Sequence, residues 1–153
     1  MRNSKFFYKF IWLFCFVILL AGCRKSVDSY VKEATKAMNE GDYAKAYEIV
    51  DIMYTIKPTS RDYMSFGFGM FSDPEIDYSY VKASDDLNEK IIKHEIGDII
   101  AESEGKEYAS KILFIIDERG REKWRKENLL EYAVKISKTN YNDELANVLE
   151  QSK

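Results

Sequence analysis

The sequence predicts an all-α fold built from antiparallel helical hairpins. Three observations predict it. Apolar residues recur at three- and four-residue steps over most of the chain after residue 26, the spacing of one helix face. Gly41-Asp42, Gly120 and Thr139-Asn140 interrupt those stripes, as turns between helices should. Phe66 and Phe68 alternate as in a strand, yet no good second strand stands beside them. Whether the hairpins continue as a short degenerate repeat solenoid stays open at this level.

Val27, Tyr30, Val31, Ala34, Ala37 and Met38 mark the first helix, which Gly41-Asp42 breaks. Tyr43, Ala46, Val50 and Met53 form the next stripe, widened by Tyr47, Ile49, Tyr54 and Ile56. Pro58 ends that helix, because it donates no backbone hydrogen bond and restricts the residue before it. Two helices and a tight turn make an αα-hairpin. From Thr59 to roughly Ile76 the helical face is lost. The core of this stretch, Tyr63-Met64-Ser65-Phe66-Gly67-Phe68-Gly69-Met70-Phe71, is aromatic and glycine-punctuated, and Ser72-Asp73-Pro74 turns the chain.

Ser84-Asp85-Asp86 is the expected start of the next helix, with acidic residues near its positive end. Leu87, Ile91, Ile92, Ile96, Ile99 and Ile100 give its stripe, and Gly97 costs about 1 kcal/mol relative to Ala if exposed. Tyr108, Ile112, Ile115 and Ile116 follow, ended by Asp117-Glu118-Arg119-Gly120. Leu113-Phe114-Ile115-Ile116 alone resembles a buried strand, but helical spacing and charged neighbours outweigh it. Leu129, Leu130, Ala133, Val134 and Ile136 form a further helix, and Leu145, Val148 and Leu149 a short last one.

Gly41-Asp42-Tyr43-Ala44-Lys45-Ala46, with Val50, Met53 and Pro58, resembles the turn and second helix of a tetratricopeptide repeat. The resemblance implies that Tyr43 wedges between helices and that Ala46 lets them approach closely. Val50 and Met53 depart from the family's usual aromatic and Ala. Thr139-Asn140-Tyr141 echoes Gly41-Asp42-Tyr43, which would put Glu144 at the place of Ala46. Tyr108 stands 33 residues before Tyr141, with Gly105 near it, as in a degenerate middle unit. The family's ligand-facing positions fall on Asp28, Val31, Thr35, Met38 and Asn39. They lack the Lys- and Asn-rich set that clamps a C-terminal carboxylate.

The N-terminus carries the plainest signal. Arg2, Lys5 and Lys9 precede an apolar run from Phe10 to Leu20, and Leu20-Ala21-Gly22-Cys23 closes it. A basic segment, a short apolar segment and small residues make an export signal, shorter than the about 20 residues of a membrane span. The junction resembles a bacterial lipoprotein processing box. The resemblance implies cleavage before Cys23, diacylglycerol on its thiol and usually a third acyl chain on the new amine. Residues 1–22 are then a cleaved signal peptide, 23–26 an anchor and tether, and 27–153 one helical domain. A permanent membrane helix gives no reason for Cys after Ala-Gly, and simple release would leave Cys23 unpaired. Arg24 is not the Asp associated with inner-membrane retention in some bacteria, which favours the outer membrane.

The other cysteine, Cys15, leaves with the leader, so no disulfide is expected. Removing Arg2, Lys5 and Lys9 from 23 basic residues leaves 20 against 26 acidic ones, a net charge of −6. That balance disfavours a general nucleic-acid or anionic-lipid surface. The local exception is Arg119, Arg121, Lys123, Arg125 and Lys126 around Trp124. It reads as a solvated turn and helix start, or as an electrostatic contact for phosphate head groups, another acidic protein or an acidic polymer.

Catalytic and metal patterns are weak. His94-Glu95-Ile96-Gly97-Asp98 has Asp where a zinc-protease pattern needs its second His. Asp73-Pro74-Glu75-Ile76-Asp77 alternates carboxylates but lacks the glycine of a calcium loop. No Gly-x-Ser-x-Gly elbow or phosphate-cradling loop appears, so neither catalytic residues, a metal nor a cofactor is expected. The expectation is a lipid-anchored adaptor or interaction module of the cell envelope, meeting the membrane through Cys23 and another envelope protein through Tyr63, Phe66, Phe68, Phe71 and Trp124. An aromatic-loop solute or glycan binder is the alternative, and an enzyme stands third. The aromatic stretch itself reads as a plug on the first hairpin, a recognition loop or a segment that dips into a membrane.

Overall fold

The computed structural model describes residues 25–56, 59–61 and 75–152. Its elements run α1 (Val27–Asn39), α2 (Tyr43–Thr55), β1 (Thr59–Arg61), β2 (Glu75–Asp77), α3 (Ser79–Glu102), α4 (Ala109–Arg119), α5 (Lys123–Thr139) and α6 (Asp143–Glu150). The fold is all-α, with helices packed pairwise in antiparallel hairpins.

Short polar side chains set three of the helix starts by accepting a backbone N–H that the first turn leaves unpaired. Ser26 Oγ takes the Ser29 N–H at 3.3 Å at the start of α1. Asp42 Oδ1 takes that of Lys45 at 3.1 Å at the start of α2, and Asn142 Oδ1 that of Leu145 at 3.1 Å at the start of α6.

Helix α3 is the longest element, 24 residues or about 36 Å at 1.5 Å per residue. It touches α1, α2, α4 and α5. A helix with neighbours on several sides must be apolar over more than one stripe. Ile91 and Ile92, adjacent and so about 100° apart around the axis, are both fully buried. Burying each such side chain stabilises the fold by about 2 kcal/mol. Buried Asn88 uses its amide to donate to the Arg119 carbonyl at 2.9 Å, which closes the end of α4.

The α3 start lies five residues before the expected Ser84. Ser84 is buried and its hydroxyl donates to the Val81 carbonyl at 2.8 Å. The extra turn is held by tertiary contacts. Tyr80 Oη donates to the Lys25 carbonyl at 2.7 Å, and its ring meets Tyr30 edge-on at 6.4 Å.

The two terminal hairpins repeat one geometry in a register that residue identity obscures. Gly41 and Tyr141 both take the left-handed conformation, at φ +75° and +60°. The Asp42 N–H reaches the Ala37 carbonyl and the Asn142 N–H the Ser137 carbonyl, both at 2.9 Å. Tyr141 therefore corresponds to Gly41, and Ala146, fully buried, corresponds to Ala46. The expected pairing of Glu144 with Ala46 is two residues out of step. Glu144 instead faces outward, 3.4 Å from the Lys106 ammonium. Tyr108 precedes α4 with φ −88° and does not share the conformation of Tyr141.

The ends of the stretch expected to be irregular pair as an antiparallel ribbon, Thr59 with Asp77, Ser60 with Ile76 and Arg61 with Glu75. Three residues a side carry no alternation long enough to read from sequence.

Candidate functional site

A polar constellation of the described residues runs along the α2–α3 seam. Tyr43, Tyr47 and Tyr54 stand four and seven residues apart, which puts them on one face of α2. The antiparallel partner α3 presents carboxylates in the reverse order. Tyr43 Oη donates to Asp98 and lies 2.8 Å from His94 Nδ1. Tyr47 Oη donates to Glu95 at 2.7 Å, and Tyr54 Oη to Asp85 at 2.6 Å.

The basic cluster closes over this seam. The Arg119 guanidinium sits 4.3 Å from the Tyr47 ring centre, and that of Arg121 3.4 Å from the Tyr54 ring centre, cation–π distances. Both guanidiniums share Asp51, at 3.1 and 3.3 Å. Arg125 is buried and its Nη1 donates to Asp85 at 3.2 Å. Lys126 pairs with Asp117 at 2.6 Å, and Lys123 approaches Glu127 at 3.8 Å. The chain reaches this arrangement through a close turn. A Cβ on Gly120 would stand 2.4 Å from the Ile116 carbonyl oxygen, so only glycine fits, and Arg121 follows at φ +54°.

The seam holds its phenols neutral. Burial, reinforced by the Asp98 and Glu95 hydrogen bonds, pushes Tyr43 and Tyr47 well above the ordinary phenol range. Burial and the Asp85 bond push Tyr54 up to about 12. Such phenols are hydrogen-bond donors at neutral pH, and their bonds tie α2 to α3 in one register. Among the described residues, no group of three or more His, Cys, Asp or Glu is placed to hold a metal ion.

Cys23, Tyr63, Phe66, Phe68 and Phe71 lie outside the described residues, as does Asp73-Pro74 of the carboxylate run. Trp124 is 54 % exposed, with the Arg125 guanidinium 5.1 Å from its ring centre. Tyr78, Ile52 and Phe114 are also exposed apolar side chains. Leu113, Ile116 and Leu130 line a groove of about 580 Å³ whose rim carries Asp117, Lys123 and Glu127.

Sequence reasoning named Trp124 and the basic cluster but missed the three tyrosines as a set. Their four- and seven-residue spacing opposite Asp85, Glu95 and Asp98 was the available signal. Exposed Tyr78 was missed too, because it precedes the stripe from which the helix was read.

No protein-family model, curated protein or solved structure matches this chain.

Proposed function

We propose that this protein is a lipid-anchored helical adaptor of the cell envelope, held at the outer membrane through acylated Cys23 and presenting its helical module to another envelope protein. The observation that carries the reading is Leu20-Ala21-Gly22-Cys23 behind a basic and then apolar leader. The position of α1 supports it. Lys25, two residues after Cys23, pairs with Glu33 and is the acceptor for Tyr80, so the helical module begins almost at the anchor. Multiple acyl chains would hold such a module stably, where a single chain binds only marginally. The polar seam fits a rigid presenting scaffold, because its phenols and guanidiniums donate to carboxylates on neighbouring helices.

Two measurements test this. The intact mass of protein purified from membranes should show loss of residues 1–22 and the added mass of acyl chains on Cys23. Proximity crosslinking of that protein, with Cys23→Ala as control, should enrich one envelope protein. The enrichment should fall when Phe66 and Phe68 are changed to Ala. An unmodified Cys23 would end the anchoring reading, and absence of any enriched protein would end the adaptor reading.

A further inference from the structure

Helix directions gather several chain ends at one pole. Antiparallel pairing of α1 with α2 and of α2 with α3 makes α1 and α3 parallel, and Tyr80 Oη bonding the Lys25 carbonyl aligns their starts. Helix α5 is parallel to α3 as well. Arg125 pairs with Asp85 and the Tyr132 hydroxyl donates to the Lys93 carbonyl, at near-constant offsets of 40 and 39 residues. The starts of α1, α3 and α5, the ends of α2 and α4, and the β1–β2 ribbon therefore share one end of the bundle.

The two poles differ in surface chemistry. Residues 40–42, 102–107 and 140–144 at the far pole carry seven carboxylates against Lys106. Residues 25–28, 59–61, 75–82 and 119–124 at the near pole carry Lys25, Arg61, Lys82, Arg119, Arg121 and Lys123 against Asp28, Glu75, Asp77 and Glu122. Arg119 and Arg121 are shared with Asp51, while the Lys123 side chain is 91 % exposed. Tyr78 and Trp124 are exposed and belong to the same segments as Lys82 and Lys123. Trp124 is the second residue of α5, and helical side chains lean toward the helix start, here toward the pole. Trp and Tyr with Lys nearby are the side chains that settle at a membrane–water interface.

Reach decides which surface this pole meets. Two residues span at most about 7 Å, so with a lipid on Cys23 the Lys25 Cα stays within that distance of the Cα of the anchoring residue. We infer that the pole carrying Lys25, Tyr78 and Trp124 lies against the lipid headgroups, with the acidic far pole directed away from the bilayer. The inference rests on acylation of Cys23.

The test uses the full lipid-bearing protein in phosphatidylethanolamine–phosphatidylglycerol vesicles containing a headgroup spin-labelled lipid. Of the two tryptophans, Trp12 lies in the leader, so Trp124 is the intrinsic probe. Its emission should be quenched, as expected of a ring at headgroup level. A fluorophore attached in the Tyr141→Cys variant, at the far pole, should keep its emission. Acylated, vesicle-bound protein with unquenched Trp124, or with equal quenching at both poles, overturns the orientation alone. Protein without acyl mass that fails to float with vesicles overturns the anchoring reading itself.

Discussion

Gly41 and Tyr141, 100 residues apart in sequence, occupy the same left-handed position in two equivalent helical turns. Each follows the last turn of one helix and precedes the capping residue of the next, Asp42 or Asn142. Glycine takes this conformation without steric cost, whereas a side chain brings Cβ against the backbone. Tyr141 is 94 % exposed, so burial of its ring offsets little of that cost.

Tyr141→Gly should therefore stabilise the protein by about 1 kcal/mol. The corresponding rise in Tm is roughly 4 °C for a domain of this size. Gly41→Ala should lower stability by a similar amount, although nothing stands within 4 Å of the added Cβ. Thermal unfolding of the two variants beside the parent protein checks both signs. An unchanged Tm in Tyr141→Gly would refute the strain argument.

Gly120 is constrained differently. Its φ is −69°, which any residue adopts. Space excludes a side chain, because an added Cβ would meet Lys126 Cγ at 2.6 Å as well as the Ile116 carbonyl oxygen. The lysine stem can move, but the carbonyl belongs to the last turn of α4. Gly120→Ala should cost about 2 kcal/mol, as overpacking does. It should also disturb Arg119 and Arg121 on either side. Urea unfolding reads the loss of stability, and a midpoint equal to that of the parent would contradict the close contact.

Most helices were legible because their apolar periodicity is local. Ala34, Ala37, Ile112, Leu129 and Ala133, all named from spacing, are buried. What escaped depends on contacts between distant residues. Tyr80 and Lys25 are 55 positions apart, and their bond extends α3 past Ser84, which carries a capping residue's chemistry but lies inside the helix. The second turn escaped because two tyrosines, Tyr43 and Tyr141, suggested a register that backbone conformation does not share. The tyrosine–carboxylate seam joins residues 31 to 55 positions apart, which no periodicity within one helix can reveal.

Alkaline pH should weaken that seam. Tyr54 titrates at about 12 in the folded protein against an ordinary value of 10.0, chiefly through burial, and Tyr43 and Tyr47 are raised in the same direction. A raised phenol pKa means that the folded state favours the neutral form. Its stabilisation is complete below pH 10.0 and is lost as pH rises through the folded value. The urea midpoint should stay level toward pH 10.0 from below and fall above it. The Tyr54→Phe variant should fall less steeply. Identical slopes in the two proteins would remove Tyr54 from the account.

Asp85 is the acceptor on which two helices depend, taking hydrogen bonds from Tyr54 on α2 and Arg125 on α5. Its side chain is 37 % exposed, but that of Arg125 is only 8 % exposed. Removing the carboxylate leaves a buried cation without its partner, and Arg125 Nε already lacks one. Solvent access to Asp85 tempers the loss, so Asp85→Ala should cost about 2 kcal/mol, less than breaking a fully buried pair. Replacing both residues, Asp85→Ala with Arg125→Met, should recover part of that loss, because no buried charge is left behind. A double-mutant cycle by urea unfolding measures the coupling. Additive losses would mean that Arg125 is held by the Trp124 face and the surrounding apolar contacts instead of by Asp85.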